Sequence, residues 1–316
     1  MGKQGEDAFA WEYNKLCGRI FAQERKERNI SREDLAAGIV GKSTLGDMES
    51  GRSRWTKLAG DILLQRMGID PNYFELVATA EELERWRLRE DICLLVPMRQ
   101  AEAKVKIQEY REKYEEREAL EEQFLEKTEV LLMLLERREH AGTASMQDRE
   151  ILSLALDAVA CTVSENWKTD LGSLWLAPAE LEAILLAGAA LAACGRSGEA
   201  WELQQAVWKY PEKHQWGERV MMLIKPQAAM LGMELALERD DMPVAYALGR
   251  EALELLRRHF CHCYALPLLE CLGKISVQEI SLYGEEGVQY LERAKGFAGT
   301  FRQMYRQYGY PEYRLW

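Results

Sequence analysis

Proline, histidine and long apolar runs are scarce in this chain, and each scarcity excludes something. Eight prolines in 316 residues leave few interruptions to helices. Four histidines, with no G-x-S-x-G and no phosphate-cradling P-loop, give little foothold to nucleophilic, metal-assisted or nucleotide-dependent catalysis. The longest apolar run, Ala183 to Cys194, has 12 residues, whereas a membrane span needs about 20. The N-terminal residues lack the basic segment and apolar stretch of a secretory signal. Stretches alternating Val, Ile or Thr with polar residues are nearly absent, so strands are not expected. The seven cysteines are odd in number and irregularly spaced, which reads as reduced, mostly buried thiols. The expected protein is therefore cytoplasmic, not bound to membrane, not an enzyme, and without cofactor or metal.

What is abundant is Leu, Ala, Glu, Arg and Met, mostly good helix formers. The expected fold class is all-α. The formal net charge is −11, but it is unevenly spread. Residues 1–78 carry 12 basic and 12 acidic side chains, while residues 79–316 carry 29 and 40. Within Leu16 to Lys57 there are nine basic and six acidic residues. A locally positive N-terminal segment on an acidic body is compatible with phosphate contact.

The spacing predicts a first helix from about Phe9 to Glu27, with Leu16, Ile20 and Phe21 on its core face. Ser31 caps a short second helix, Arg32 to Ala37, with Asp34 reaching back to it. Gly38 ends that helix in a left-handed conformation. Residues 39–42 form the turn. Ser43 caps a third helix, Thr44 to Ser50, closed by Gly51. A fourth, Lys57 to Met67, supplies Leu58, Ile62 and Leu63 to the core, and Pro71 starts a fifth through Phe74 and Leu76.

This order and spacing resemble the Xre-type helix-turn-helix of phage repressors over residues 16–70. Arg25, Leu35-Ala36, Leu45, Met48-Glu49, Gly51, Leu58 and Ile62 carry the likeness, and the turn is one residue shorter. The resemblance implies an internal ion pair between Arg25 and Glu49. It also implies a third helix that enters the major groove of double-stranded DNA N-terminal end first. Lys42, Ser43, Thr44 and Asp47 then lie at its leading positions, suited to guanine, mixed and cytosine edges. Arg32, Arg52, Ser53 and Arg54 are placed for phosphates.

Beyond residue 78 the pattern is helix after helix. Ala101 to His140 reads as a charged helical region with Val105, Tyr110, Tyr114, Leu131, Leu132 and Leu135 at helical spacing. Its run Glu109 to Gln123 reads as a solvated face, with coiled-coil pairing as the alternative. Three later segments are self-similar: Gly198–Tyr210, Pro243–Leu255 and Glu285–Phe297. They align Ala200, Ala245 and Gly287 in one column and Val207, Ala252 and Ala294 in another. They look like the second helices of tetratricopeptide hairpins, where a small residue lets paired helices approach, with Gly188 as its counterpart on a first helix. Such hairpins stack into a right-handed superhelix with a concave face. Aligning the columns places Glu182, Ala189, Gln227, Met230, Glu234, Glu238, Leu272, Ser276 and Glu279 on the first helices. Of these, Gln227, Met230, Glu234, Glu238, Ser276 and Glu279 are the candidates for contact with a peptide. His259, Cys261, His262 and Cys263 could suggest a metal site, but residues two apart on a helix face apart and no second cluster completes four ligands. Buried thiols are the simpler reading.

The layout, residues 1–78 as a five-helix Xre-type domain and 79–316 as a repeat array, is similar to the Rgg/PlcR group of peptide-responsive regulators. That resemblance implies a homodimeric, DNA-binding transcription regulator of quorum-sensing type, controlled by a short signalling peptide on the concave face. The residues alone leave two alternatives: a regulator that needs no peptide, and an interaction scaffold whose array serves dimerisation or partner docking.

Overall fold

In a computed structural model the chain is described over residues 3–73, 78–97, 99–139, 146–259, 261, 264–275 and 284–308. Those residues hold fifteen α-helices and no strand. Helix α1 (Lys3–Glu27) starts earlier than expected, and α2 (Arg32–Ala36), α3 (Lys42–Glu49) and α4 (Lys57–Arg66) follow. Of the expected fifth helix, Pro71–Tyr73 forms a 3-10 turn, and Phe74 and Leu76 lie outside the described residues.

Ser31 caps α2 as expected, accepting from Asp34 N at 3.0 Å, while its hydroxyl donates to the Asp34 carboxylate. Gly38 and Gly51 adopt the positive φ angles, 73° and 75°, that end α2 and α3. Two expectations fail in this region. Helix α3 begins at Lys42 with Gly41 as its N-cap, so Ser43 lies inside it and caps nothing. On α1 it is Cys17 and Phe21 that face the core, and Leu16 is 52% exposed. Phe21 stacks on Trp55 with ring centroids 3.9 Å apart, and Leu35, Leu45, Met48, Leu63 and Leu64 complete the cluster.

The rest of the chain forms five successive helix pairs: α5 (Ala80–Leu95) with α6 (Gln100–Lys113), α7 (Ala119–Glu139) with α8 (Met146–Ala160), α9 (Pro178–Ala193) with α10 (Ser197–Lys213), α12 (Lys225–Glu238) with α13 (Met242–Arg258), and α14 (Ala265–Gly273) with α15 (Gly284–Tyr308). The short α11 (Glu218–Met221) is inserted before the fourth pair. The self-similar segments fall on the second helices α10, α13 and α15. Both small-residue columns are buried. Gly188 of α9 faces Ala200 of α10: a Cβ there would stand 3.9 Å from the Ala200 carbonyl and 3.2 Å from Leu231 of the next pair. A Cβ on Gly232 would meet the buried Gln204 amide, which donates to Ala228 O across pairs. The last four hairpins thus stack through one continuous core running from Val130 to Ala298, and the first packs on α7 through a separate cluster that includes Leu88, Ile92, Ile107, Leu125 and Leu132.

The charged region does not run unbroken from Ala101 to His140. It splits at residues 114–118, where Arg117 donates to Tyr114 O at 2.6 Å and Glu121 accepts from Glu118 N at 3.1 Å. Nor is Glu109–Gln123 simply a solvated face. Tyr110, Tyr114, Glu121 and Gln123 are buried, whereas Val105 is 67% exposed. Tyr110 donates to Glu121, which also binds Arg85, so this run closes the turn between the first two hairpins.

The helix-turn-helix is seated on the array. Ile39, Leu58 and Ile62 pack with Leu120, Ala177 and Ala179, and Trp175 joins the N-terminal core. At the centre of the junction, Arg66 is 1% exposed and binds Glu180, itself fully buried, through two bonds of 2.9 and 2.6 Å. Its remaining nitrogen donates to the carbonyls of Leu35 and Ala37 at the end of α2. Glu180 also accepts from Ala177 N and so caps α9. No described helix is long and apolar enough to cross a membrane.

Candidate nucleic-acid interface and array cavity

The third helix is held from behind by a buried ion pair. Arg25 of α1 donates to both oxygens of Glu49, at 2.6 and 3.1 Å, and to Ile30 O at 2.6 Å. Arg32 donates to Glu49 as well, at 2.7 Å. Burial pushes the Glu49 carboxyl up, but the hydrogen bonds and charges of Arg25 and Arg32 outweigh it and hold it below the usual carboxylate range. The Arg25–Glu49 pair inferred from sequence is present, and it ties the end of α3 to α1.

The front of α3 is open. A groove of about 740 Å³ is lined by Arg32, Lys42, Ser43, Gly46, Asp47, Ser50 and Arg52. It brings together five of the eight side chains selected from sequence. Lys42, Ser43 and Thr44 are exposed on the first turn of α3, and Asp47 is half-buried one turn on. Arg52 reaches back to Asp47 Oδ1 through two nitrogens, at 3.0 and 2.6 Å. Lys42 donates to Glu33 of α2 at 2.8 Å. Ser53 is half-buried, and Arg54 stands apart from the groove: it pairs with Glu82 at the start of α5, in a cleft on the array side.

Sequence reading missed the flank of α1. Arg19, Gln23 and Lys26 line a neighbouring groove of about 430 Å³ with Arg32 and Ser50. Their spacing of four and three residues marks a polar stripe, opposite Cys17 and Phe21, that was available as a signal.

In the array, a cavity of about 220 Å³ is lined by Cys93, Val96 and Pro97 from the end of the first hairpin's leading helix and the turn after it, Phe124, Lys127, Thr128 and Leu131 of α7, Glu182 and Leu186 of α9, and Tyr264 before α14. The leading helices of three hairpins thus converge on one apolar space with a Lys127–Glu182 ion pair at its wall. Of the sequence-selected peptide candidates, none of the four described ones lines it. Met230 is 2% exposed and belongs to the core, because α12 is covered by α9, α10, α13 and α14. Gln227 is 4% exposed; its amide nitrogen donates to Leu223 O and to the hydroxyl of the cavity residue Tyr264, while its Oε1 is buried without a hydrogen bond. Glu234 is half-buried, and Glu238 is exposed beside Ser197 of α10. Ser276 and Glu279 lie outside the described residues. Glu182, also placed on a leading helix from sequence, is in the wall. Of the cysteine–histidine cluster, His259 pairs with Glu218 and Cys261 is half-buried, while His262 and Cys263 lie outside the described residues.

No protein-family model matches the chain, and no curated protein does. Among solved structures, the crystal structure of Bacillus thuringiensis PlcR in complex with the peptide PapR7 and DNA is similar in fold, with a TM-score of 0.52 at 13% identity. The match covers 95% of this chain and 100% of that one. At that identity the likeness is one of fold, a helix-turn-helix followed by a solenoid of helix hairpins.

Proposed function

We propose that the chain is a sequence-specific DNA-binding transcription regulator of the Rgg/PlcR type, acting as a homodimer and controlled by a short peptide held in the array. On this reading residues 1–78 bind DNA, and residues 79–316 sense the peptide and dimerise. The observation that carries it is the open face of α3, lined with Lys42, Ser43, Asp47 and Arg52 and anchored from behind by Arg25 and Glu49. The end-to-end likeness in fold to PlcR, which was solved with both a peptide and DNA, supports the same reading.

Coupling between the two ligands has a candidate carrier in α9. Its first turn holds Glu180, bound to Arg66 under the helix-turn-helix, and two and six residues later Glu182 and Leu186 face the array cavity. A peptide that prefers one position of α9 would shift the population of helix-turn-helix orientations accordingly. In a two-fold dimer this changes how well the two reading helices match half-sites set about 34 Å apart, one turn of DNA.

DNA binding is tested by a salt titration of the whole chain on duplexes. Replacing the exposed Arg52 with Ala should weaken binding to all sequences and reduce the slope of log K against log salt by about one. Lys42→Ala should instead change which sequence is preferred. Equal loss of both variants on every sequence would remove α3 as the reading element.

The cavity is tested by screening short peptides for a rise in melting temperature. Phe124→Ala, which strips an apolar side chain from the cavity wall at a half-buried position, should reduce any such rise while leaving DNA binding in place. A regulator that needs no peptide is the second reading, favoured by the burial of Gln227 and Met230. It expects no rise with any peptide.

A further inference from the structure

Every cation selected on or beside the reading face is already bonded to a carboxylate of this chain. Arg32 binds Glu49, Lys42 binds Glu33, Arg52 binds Asp47 and Arg54 binds Glu82. These pairs are of two kinds. Glu49 is buried and structural, shared with Arg25. The Lys42–Glu33 and Arg52–Asp47 pairs stand in solvent, with side-chain exposures of 65% and 75%, and 71% and 45%. Pairs so exposed add little to stability and open readily. They nevertheless occupy the two cations that flank α3 at its entry and its exit.

We propose that Glu33 and Asp47 act as internal phosphate surrogates, holding Lys42 and Arg52 so that the chain resists DNA lacking its site. This rests on the DNA-binding reading above. The argument is one of charge. A phosphate that takes Lys42 or Arg52 must displace a carboxylate of like sign, which stays on the same face and repels it. Binding to arbitrary sequence consists almost wholly of phosphate contacts and counterion release, so it bears the whole of that repulsion. In the correct complex Lys42 and Asp47 turn to base edges instead, Lys42 donating and Asp47 accepting, so less of that repulsion is borne there. The acids therefore set specificity by weakening the wrong complexes more than the right one. The flank of α1 supplies a contrast. Lys26 makes no ion pair with any described residue, and the one side-chain hydrogen bond of Arg19 goes to the Lys15 carbonyl. Those cations remain free to attract DNA of any sequence.

The test uses the full chain, with Glu33→Gln and Asp47→Asn, on a mixed-sequence duplex and on the best duplex selected from a random pool. Glu33 lies on the surface and its replacement keeps the shape, so the fold is retained, which circular dichroism checks. Each variant should bind the mixed-sequence duplex about 3–10 times more tightly, with a salt slope steeper by about one. Affinity for the selected duplex should rise less, so the ratio between the two falls. Wild-type salt slope and mixed-sequence affinity in Glu33→Gln would overturn the proposal and leave the DNA-binding reading standing. A wild-type chain that binds no duplex at any salt concentration would overturn both.

Discussion

Replacing Glu180 with Ala should destabilise the junction between the helix-turn-helix and the array by about 3–5 kcal/mol, the usual consequence of leaving one partner of a buried ion pair alone. Arg66 is 1% exposed and would keep only the carbonyls of Leu35 and Ala37. Its charge would have no counter-ion, and Ala177 N would lose the carboxylate that caps α9. Urea unfolding read by tryptophan emission should therefore show an earlier transition, since Trp55 and Trp175 belong to the N-terminal core cluster that Arg66 ties down. The double replacement Arg66→Met with Glu180→Leu should recover part of the loss, because it removes both charges. Recovery stays incomplete because the α2 carbonyls still lack donors. A loss below about 1 kcal/mol would instead place this pair among solvent-screened contacts.

Gly38→Ala should have an effect of similar size by a different route. Gly38 has φ of 73°, and a Cβ there would stand 2.0 Å from the Thr162 carbonyl oxygen. Thr162 cannot easily retreat: it is 3% exposed, and its hydroxyl accepts from the buried Gln123 amide at 2.6 Å. The left-handed backbone and the overpacked contact together should cost about 2–5 kcal/mol. Hydrogen exchange should accelerate around α2 and around residues 159–163, while the distant α12–α13 pair keeps its protection. Gly198→Ala is the control, since a Cβ there meets nothing within 4 Å and should leave exchange unchanged. Equal exchange in both variants would mean that the α2–α3 turn is not pressed against the array.

Much of this architecture was legible in the residues because local rules and the global fold agree. Gly38 and Gly51 end helices where only a left-handed residue fits, and both have positive φ. The small residues Ala200, Ala245 and Gly287 recur because each sits where two helices touch, so a close approach left a period in the sequence. Arg25 and Glu49 could be matched because a family pattern supplies the partner that periodicity cannot. Arg66 and Glu180 show the opposite case. They are 114 residues apart, and nothing local distinguishes this Arg from a solvated one at a helix end.

The misreadings also have physical causes. Val105 and Leu16 are apolar and well spaced, yet exposed, because amphipathic spacing gives a face without saying whether anything covers it. The break between α6 and α7 lies among good helix formers, and it is set by Arg117 and Glu121 closing a turn. Helix α3 starts earlier than its serine suggested because Gly41 occupies the cap. The cavity residues Phe124, Lys127 and Leu186 were not singled out because hairpin alignment orders residues along helices but does not say which helices meet across the superhelix. The charge pattern of the α3 face shows the same limit. A count of basic residues made it positive, whereas the folded arrangement pairs most of those cations with acids of the same chain.

Selection of the intact chain on a pool of random DNA duplexes tests the central claim most directly. The account predicts enrichment of one sequence as two half-sites related by two-fold symmetry, spaced by about one turn of DNA or a multiple of it. Its bound fraction should fall steeply with salt, and the enrichment should be lost in Lys42→Ala. Recovery of the input pool unchanged by a folded protein would contradict it.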